Sequence, residues 1–173
     1  PSGYGIDDKY KSIKDDTRFP DNEVYPNTQG MVTATKTKVL HTTGDWITSA
    51  SYYDKKSRLL THYTKNDHAN SEEIVHNAYD FAGRVLLTCH IQTINLGDGA
   101  ISTTEWTQHT YDHMGRLAKT EHCLGTTPSG FITLSRLKYN ELGQLVDKKL
   151  HNGGNGYLQS VDYRYNIRGW LTH

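Results

Sequence analysis

Tyr79-Asp80-Phe81-Ala82-Gly83-Arg84-Val85 and Tyr111-Asp112-His113-Met114-Gly115-Arg116-Leu117 are two copies of one seven-residue pattern, and their reading decides the fold. The Asp opens a type I turn, and the Gly three residues later supplies the positive φ of a three-residue hairpin loop with a G1 bulge. Three further segments align with them: Tyr53-Asp54-Lys55-Lys56-Ser57-Arg58-Leu59, Tyr139-Asn140-Glu141-Leu142-Gly143-Gln144-Leu145 and Tyr165-Asn166-Ile167-Arg168-Gly169-Trp170-Leu171. Their tyrosines are spaced 26, 32, 28 and 26 residues apart. Repetition at a fixed period marks a stacked architecture, so each copy is read as one β-hairpin and the chain as all-β, a curved or spiralling sheet of tandem antiparallel hairpins.

In such a loop the flanking residues face each other, which sets Asp54 against Arg58, Asp80 against Arg84 and Asp112 against Arg116. As exposed cross-strand ion pairs these are expected to contribute roughly 0.2–1 kcal/mol each, enough to favour a register. The last two copies lose both charges together, as Asn140 with Gln144 and Asn166 with Trp170, which a pairwise constraint predicts. One position further out, Tyr53 faces Leu59, Tyr79 faces Val85, Tyr111 faces Leu117, Tyr139 faces Leu145 and Tyr165 faces Leu171.

Strand side chains alternate, so the Tyr/Leu ladder and the Asp/Arg ladder are expected on opposite faces, one apolar and inward, the other charged. Val85, Leu87, Cys89 and Ile91 extend the apolar parity. Phe131, Leu137 and Tyr139 alternate with Arg136, Lys138 and Asn140, and Tyr157, Val161, Tyr163 and Tyr165 with Asp162, Arg164 and Asn166. Lys119, Glu121, Asp147 and Lys149 break the rule by falling on the inward parity. A partly polar inner face suits a single curving sheet around a wet space better than a tightly packed sandwich.

Loops are read at Asn66–Asn70, Asn95–Gly99, Gly125–Gly130 and Asn152–Gly156, where Gly, Asn and Asp cluster. Met31–Leu40 and Trp46–Tyr53 are threonine-rich strand candidates hinged at Thr43-Gly44-Asp45. Residues 1–30, with Pro20 and Pro26 and no clear period, read as an extended entry or linker, leaving 31–173 as the hairpin region. No segment has a helical period.

Composition bounds the function. With 173 residues, 35% of them hydrophobic, and 19 basic residues against 19 acidic, the chain builds one modest domain. Its balanced charge gives no electrostatic footprint for nucleic acid or an anionic membrane. No stretch reaches the roughly 18–20 apolar residues of a membrane helix. The chain starts at Pro1 and stops soon after a fifth motif, so a piece of a longer protein is expected. Cys89 and Cys123 are too few for a disulfide framework and too far apart for a metal knuckle.

Ten histidines invite a search for catalysis, but none belongs to a His-Glu-x-x-His helix or a close Cys/His spacing, and no Gly-x-Ser-x-Gly elbow occurs. His90 and His122 each lie eleven residues past a motif tyrosine and are expected to be surface ladder positions. Asp7-Asp8, Asp15-Asp16 and Glu72-Glu73 are adjacent pairs, which point to opposite faces of a strand and suit solvation rather than acid–base chemistry. No catalytic residue, cofactor or metal is expected. Trp46, Tyr52, Trp106, Tyr157 and Trp170 have two readings, cross-strand packing or stacking on a sugar or protein partner.

Tandem Tyr-Asp-x-x-Gly-Arg-Leu at these spacings resembles the Rhs/YD-repeat family, over roughly residues 46–173. The ending Tyr-Asn-Ile-Arg-Gly-Trp-Leu is similar to that of Rhs-like proteins of Bacteroidetes. The resemblance implies a β-strip that spirals into a hollow shell in a large secreted or cell-surface protein. It also implies a structural role, enclosing or presenting a C-terminal toxin or other cargo, or a surface role in binding glycan or protein. The chain has no Asp-Pro dipeptide, so the self-cleavage of toxin-bearing members is not carried over. Partners are expected at the open sheet edges.

Overall fold

The computed structural model describes residues 23–152 and 154–172. Their strands run β1 (Ala34–Lys38), β2 (Trp46–Tyr53), β3 (Leu59–Asn66), β4 (Ser71–Tyr79), β5 (Val85–Leu96), β6 (Gly99–Tyr111), β7 (Leu117–Leu124), β8 (Ile132–Tyr139), β9 (Leu145–Asn152) and β10 (Tyr157–Asp162). They form one antiparallel meander in which sheet order equals chain order, with no helix among the described residues. The all-β hairpin reading therefore holds. Residues 23–30 carry no strand, whereas the carboxylate pairs at 7–8 and 15–16, Pro20 and most of the proposed linker lie outside the described residues.

All five motif turns close with the same two backbone hydrogen bonds. The residue in the glycine place donates to the carbonyl of the Asp or Asn, as in Gly83 N to Asp80 O at 3.1 Å. The Asp or Asn N–H in turn donates to the residue after the loop, as in Asp80 N to Arg84 O at 2.9 Å. The fourth loop residue is left-handed every time: φ is 88° at Gly83, 80° at Gly115, 82° at Gly143 and 79° at Gly169, and Ser57 adopts 63° in the glycine place. An L residue there costs about 1–2 kcal/mol. Ser57→Gly is thus expected to stabilise the chain by about 1 kcal/mol, read as a higher urea midpoint with an unchanged m value.

Immediately after three of the motif turns the ladder slips by one residue. Tyr53 pairs with Leu59 but Tyr52 with Thr61; Tyr79 pairs with Val85 but Ala78 with Leu87; Tyr139 pairs with Leu145 but Lys138 with Asp147. Such a bulge sets two residues of one strand against one of its partner and inverts the parity of everything beyond it.

This overturns the expected division of faces. Leu87, Cys89 and Ile91 sit opposite Ala78, His76 and Ile74, not on the side of Tyr79. The buried face is built from Ala50, Tyr52 and Asp54 of the β2 end, Thr61 and Tyr63 of β3, Ile74, His76 and Ala78 of β4, and Leu87 and Cys89 of β5. The Asp/Arg pairs therefore border the core. The motif tyrosines Tyr53 and Tyr79 are half-buried on the other face, among polar pairs such as Ser51 Oγ with His62 Nδ1 at 3.0 Å and Thr88 Oγ1 to Asn77 Oδ1 at 3.0 Å. The same slip puts Asp147 opposite Lys138 and Lys149 opposite Arg136, so their apparent misplacement on an inner face disappears.

The described residues divide into two compact units, 23–106 with Leu124–Thr126, and Thr107–Cys123 with 127–152 and 154–172. In the first, Ala50, Tyr52, Tyr63 and Ile74 form a core cluster against which Val24 and Ile91 pack. In the second, Cys123 is the one buried apolar side chain among the described residues, and the rest of the strands are half-buried or exposed on both faces. Cys89 and Cys123 are both buried.

Candidate functional site

The motif residues converge at the turns. In the first turn Asp54 Oδ1 accepts the backbone N–H groups of Lys56 and Arg58, each at 2.8 Å, and its Oδ2 takes Arg58 Nε and Nη2, each at 2.6 Å. The carboxylate thus holds its own loop and the guanidinium at once. The third turn repeats this, with Met114 N and Arg116 N on Asp112 Oδ1 at 2.9 Å and Arg116 Nε on Oδ2 at 2.7 Å. In the second, Arg84 N reaches Asp80 Oδ1 at 2.9 Å and Arg84 Nε reaches Oδ2 at 2.6 Å.

The Asn copies show why both charges are lost together. Asn140 Oδ1 still accepts Gln144 N at 2.9 Å, which needs only an oxygen. The second position changes sign as a hydrogen-bond pair, Asn140 Nδ2 now donating to Gln144 Oε1 at 2.8 Å. Asn166 Oδ1 likewise accepts Arg168 N and Trp170 N at 2.9 Å. Loop closure is common to all copies, and the ion pair is one way of filling the remaining lone pairs.

Burial separates the charged copies. Asp54 is 4% exposed and Arg58 13%, against 19% and 28% for Asp112 and Arg116. The first pair is no surface ion pair, contrary to the reading from sequence. Burial pushes the Asp54 carboxyl up, but hydrogen bonds from Arg58 and the Lys56 N–H outweigh it and hold the group below its ordinary value. Asp80 and Asp112 are lowered by the same opposed causes.

The first, third and fourth turns also grip the next. Arg58 Nη1 donates to the Asp80 carbonyl at 2.8 Å, and its guanidinium lies 4.8 Å from the centre of the Tyr79 ring. Arg116 stacks 4.4 Å over Tyr139, and a Cβ added at Gly143 would lie 3.3 Å from its Nη1. Gln144 Nε2 stands equally close to Gly169. The motif tyrosines return the contact: Tyr79 Oη donates to Leu59 O at 2.8 Å, Tyr139 Oη to Leu117 O at 3.0 Å and Tyr165 Oη to Leu145 O at 2.9 Å. Sequence reading placed Arg and Tyr within their own hairpins and missed this; the recurrence of Tyr in all five copies and of Arg in three was the available signal.

Phe81, Met114, Leu142 and Ile167 each expose a bulky apolar side chain from a central turn position. Among the candidate binding aromatics, Tyr52 and Trp106 are buried, which removes them as contact residues; Trp106 Nε1 donates to Gly125 O at 2.9 Å. Trp46 lies under Lys36 at 4.5 Å, and Trp170 is exposed beside Arg168. His90 Nε2 meets Glu73 Oε1 at 2.7 Å on one unit, and His122 sits on β7 opposite Ile132 in the other. No group of three or more His, Cys, Asp or Glu suited to a metal occurs among the described residues. His76, which the sequence did not single out, is 2% exposed with Nδ1 at 2.9 Å from Thr61 Oγ1, and burial lowers its pKa to about 4.

No family model matches the chain, and no curated protein matches it.

Proposed function

We propose that this chain is a non-enzymatic structural repeat module of an Rhs/YD-repeat protein, one stretch of a β-shell that encloses or presents a C-terminal cargo or toxin domain at the cell surface or outside the cell. One observation carries the reading: the polar chemistry of the motif is used in closing turns and fastening each to the next. Asp54, Arg58 and Tyr79 are fully engaged with one another and with backbone. A scaffold requires such self-satisfaction, whereas a catalytic group requires free valence toward a substrate.

The exposed turn-tip side chains and the terminal strands β1 and β10 offer surfaces to the rest of the parent chain or to another polypeptide. The test is a structure of the longer parent chain together with limited proteolysis. The expected result is a continuing hairpin sheet wrapped around a protease-protected downstream segment. A flat sheet with a downstream segment digested as fast as an unfolded peptide would overturn it.

The exposed ring of Trp170 supports a second reading, a surface module for glycan or protein. Glycan-array binding lost in Trp170→Ala would favour it.

A further inference from the structure

A basic cleft of 720 Å³ lies within the second unit, lined by Thr110, Ala118, Lys119, Thr133, Arg136, Leu137, Lys138, Asp147, Lys149 and Tyr157. Four cations stand there against one carboxylate in a chain with no net charge. Three of the four are in direct register: Lys119 faces Arg136 from β7, and Lys149 faces it from β9. Directly opposed residues on neighbouring strands lie about 4.5–5.5 Å apart, and like charges so placed destabilise a sheet. A stability-driven sequence would alternate the signs, as it does at Lys138 opposite Asp147.

The flanking lysines have local partners. Lys119 Nζ is 2.8 Å from Glu121 Oε2, and Lys149 Nζ is 3.7 Å from Asp147 Oδ2. Asp147 is further occupied by the Ser160 hydroxyl at 2.9 Å. Arg136, at the centre, is exposed, and its side chain makes no hydrogen bond or ion pair with any described residue. Counting Glu121 with the lining, four cations less two carboxylates leave two positive charges around an unengaged guanidinium fork.

We propose that this cleft is an anion site for a dianionic phosphoryl or sulfuryl group, with Arg136 as the bidentate anchor and Lys119, Lys149 and Lys138 around it. A planar fork with five donors fits two oxygens of a tetrahedral oxyanion, and the lysines supply charge without demanding geometry. The Thr110 hydroxyl fits a remaining oxygen or the group that bears it, while that of Thr133 donates to Glu121 Oε1 at 3.4 Å. The site is independent of the turn relay and of the scaffold reading.

The test titrates the chain with inorganic phosphate, sulfate and acetate at constant ionic strength, following heat of binding and thermal midpoint. Saturable binding of phosphate and sulfate is expected, with acetate at least tenfold weaker. Phosphate affinity should fall from pH 7.5 to 5.5 as the dianion gains a proton, while sulfate affinity does not fall with it. Glycerol 3-phosphate and a short oligothymidylate separate sources: the monoester is expected to bind, and binding of the diester polymer alone would overturn the proposal. Arg136→Gln should weaken phosphate at least tenfold while leaving the anion-free thermal midpoint equal or higher, since it removes a repulsive charge. An unchanged affinity in Arg136→Gln, or a phosphate response no larger than that of acetate, would overturn it as well.

Discussion

Replacing Asp54 by Ala is expected to cost about 3 kcal/mol, because it strands a buried guanidinium and removes the acceptor of two backbone N–H groups in one step. The Arg58 head is 13% exposed, so water replaces its lost partner poorly. Asp112→Ala removes the same chemistry from a wetter turn and should cost a fraction of that. The double change Asp54→Asn with Arg58→Gln rebuilds the neutral pair found at Asn140 and Gln144, and should recover much of the loss. What it does not restore is the guanidinium's bond to the Asp80 carbonyl and its stacking on Tyr79. Urea unfolding of the four proteins measures this, and equal losses for Asp54→Ala and Asp112→Ala would show that burial is not what sets the magnitude.

Acidification from pH 6.5 to 4 is expected to remove about 3 kcal/mol of stability through His76 alone. Its imidazole is neutral in the core with a pKa of about 4, while the unfolded chain binds a proton near the ordinary 6.5. A depressed folded value means that the stability is fully present above 6.5 and is lost as pH falls toward 4, at about 1.4 kcal/mol per pH unit. Burial lowers His109 too, so it acts in the same direction. The carboxyls of Asp54, Asp80 and Asp112 are also held low, but their contribution is lost only below the carboxylate range, at still lower pH. Urea midpoints between pH 7 and 4 should therefore fall in the wild type and flatten in His76→Gln. A His76→Gln slope as steep as that of the wild type would remove His76 as the cause.

What could be read from sequence divides along a physical line. The turns were legible because their chemistry is local: five residues contain the acceptor, the left-handed position and the closing pair, and the structure returns them at Asp54, Asp80, Asp112, Asn140 and Asn166. Strand boundaries followed from the turns. The faces were not legible, because the extra residue after the turns of Asp54, Asp80 and Asn140 carries no side-chain signature, and a slip of one residue exchanges inside for outside. Leu87 and Cys89 were correctly read as apolar and wrongly placed beside Tyr79. Lys119, Asp147 and Lys149 were noticed only as breaches of an alternation, and the breach was the visible trace of the charged cleft. His76 left no trace, since a buried histidine and a solvated one look alike in a polar strand.

The grip of the first, third and fourth turns on their successors runs in one direction. Arg58 covers the turn of Asp80, Arg116 that of Asn140, and Gln144 that of Asn166. At Gly143 and Gly169 the covering side chain leaves little room for a Cβ, at 3.3 Å, whereas at Gly83 Arg58 stands at an ordinary 3.9 Å. No motif turn precedes Ser57 among the described residues, and here a side chain is accommodated in the glycine place. Because these contacts point one way along the chain, shortening Arg116 or Gln144 is expected to loosen the turn that follows it in sequence as well as its own.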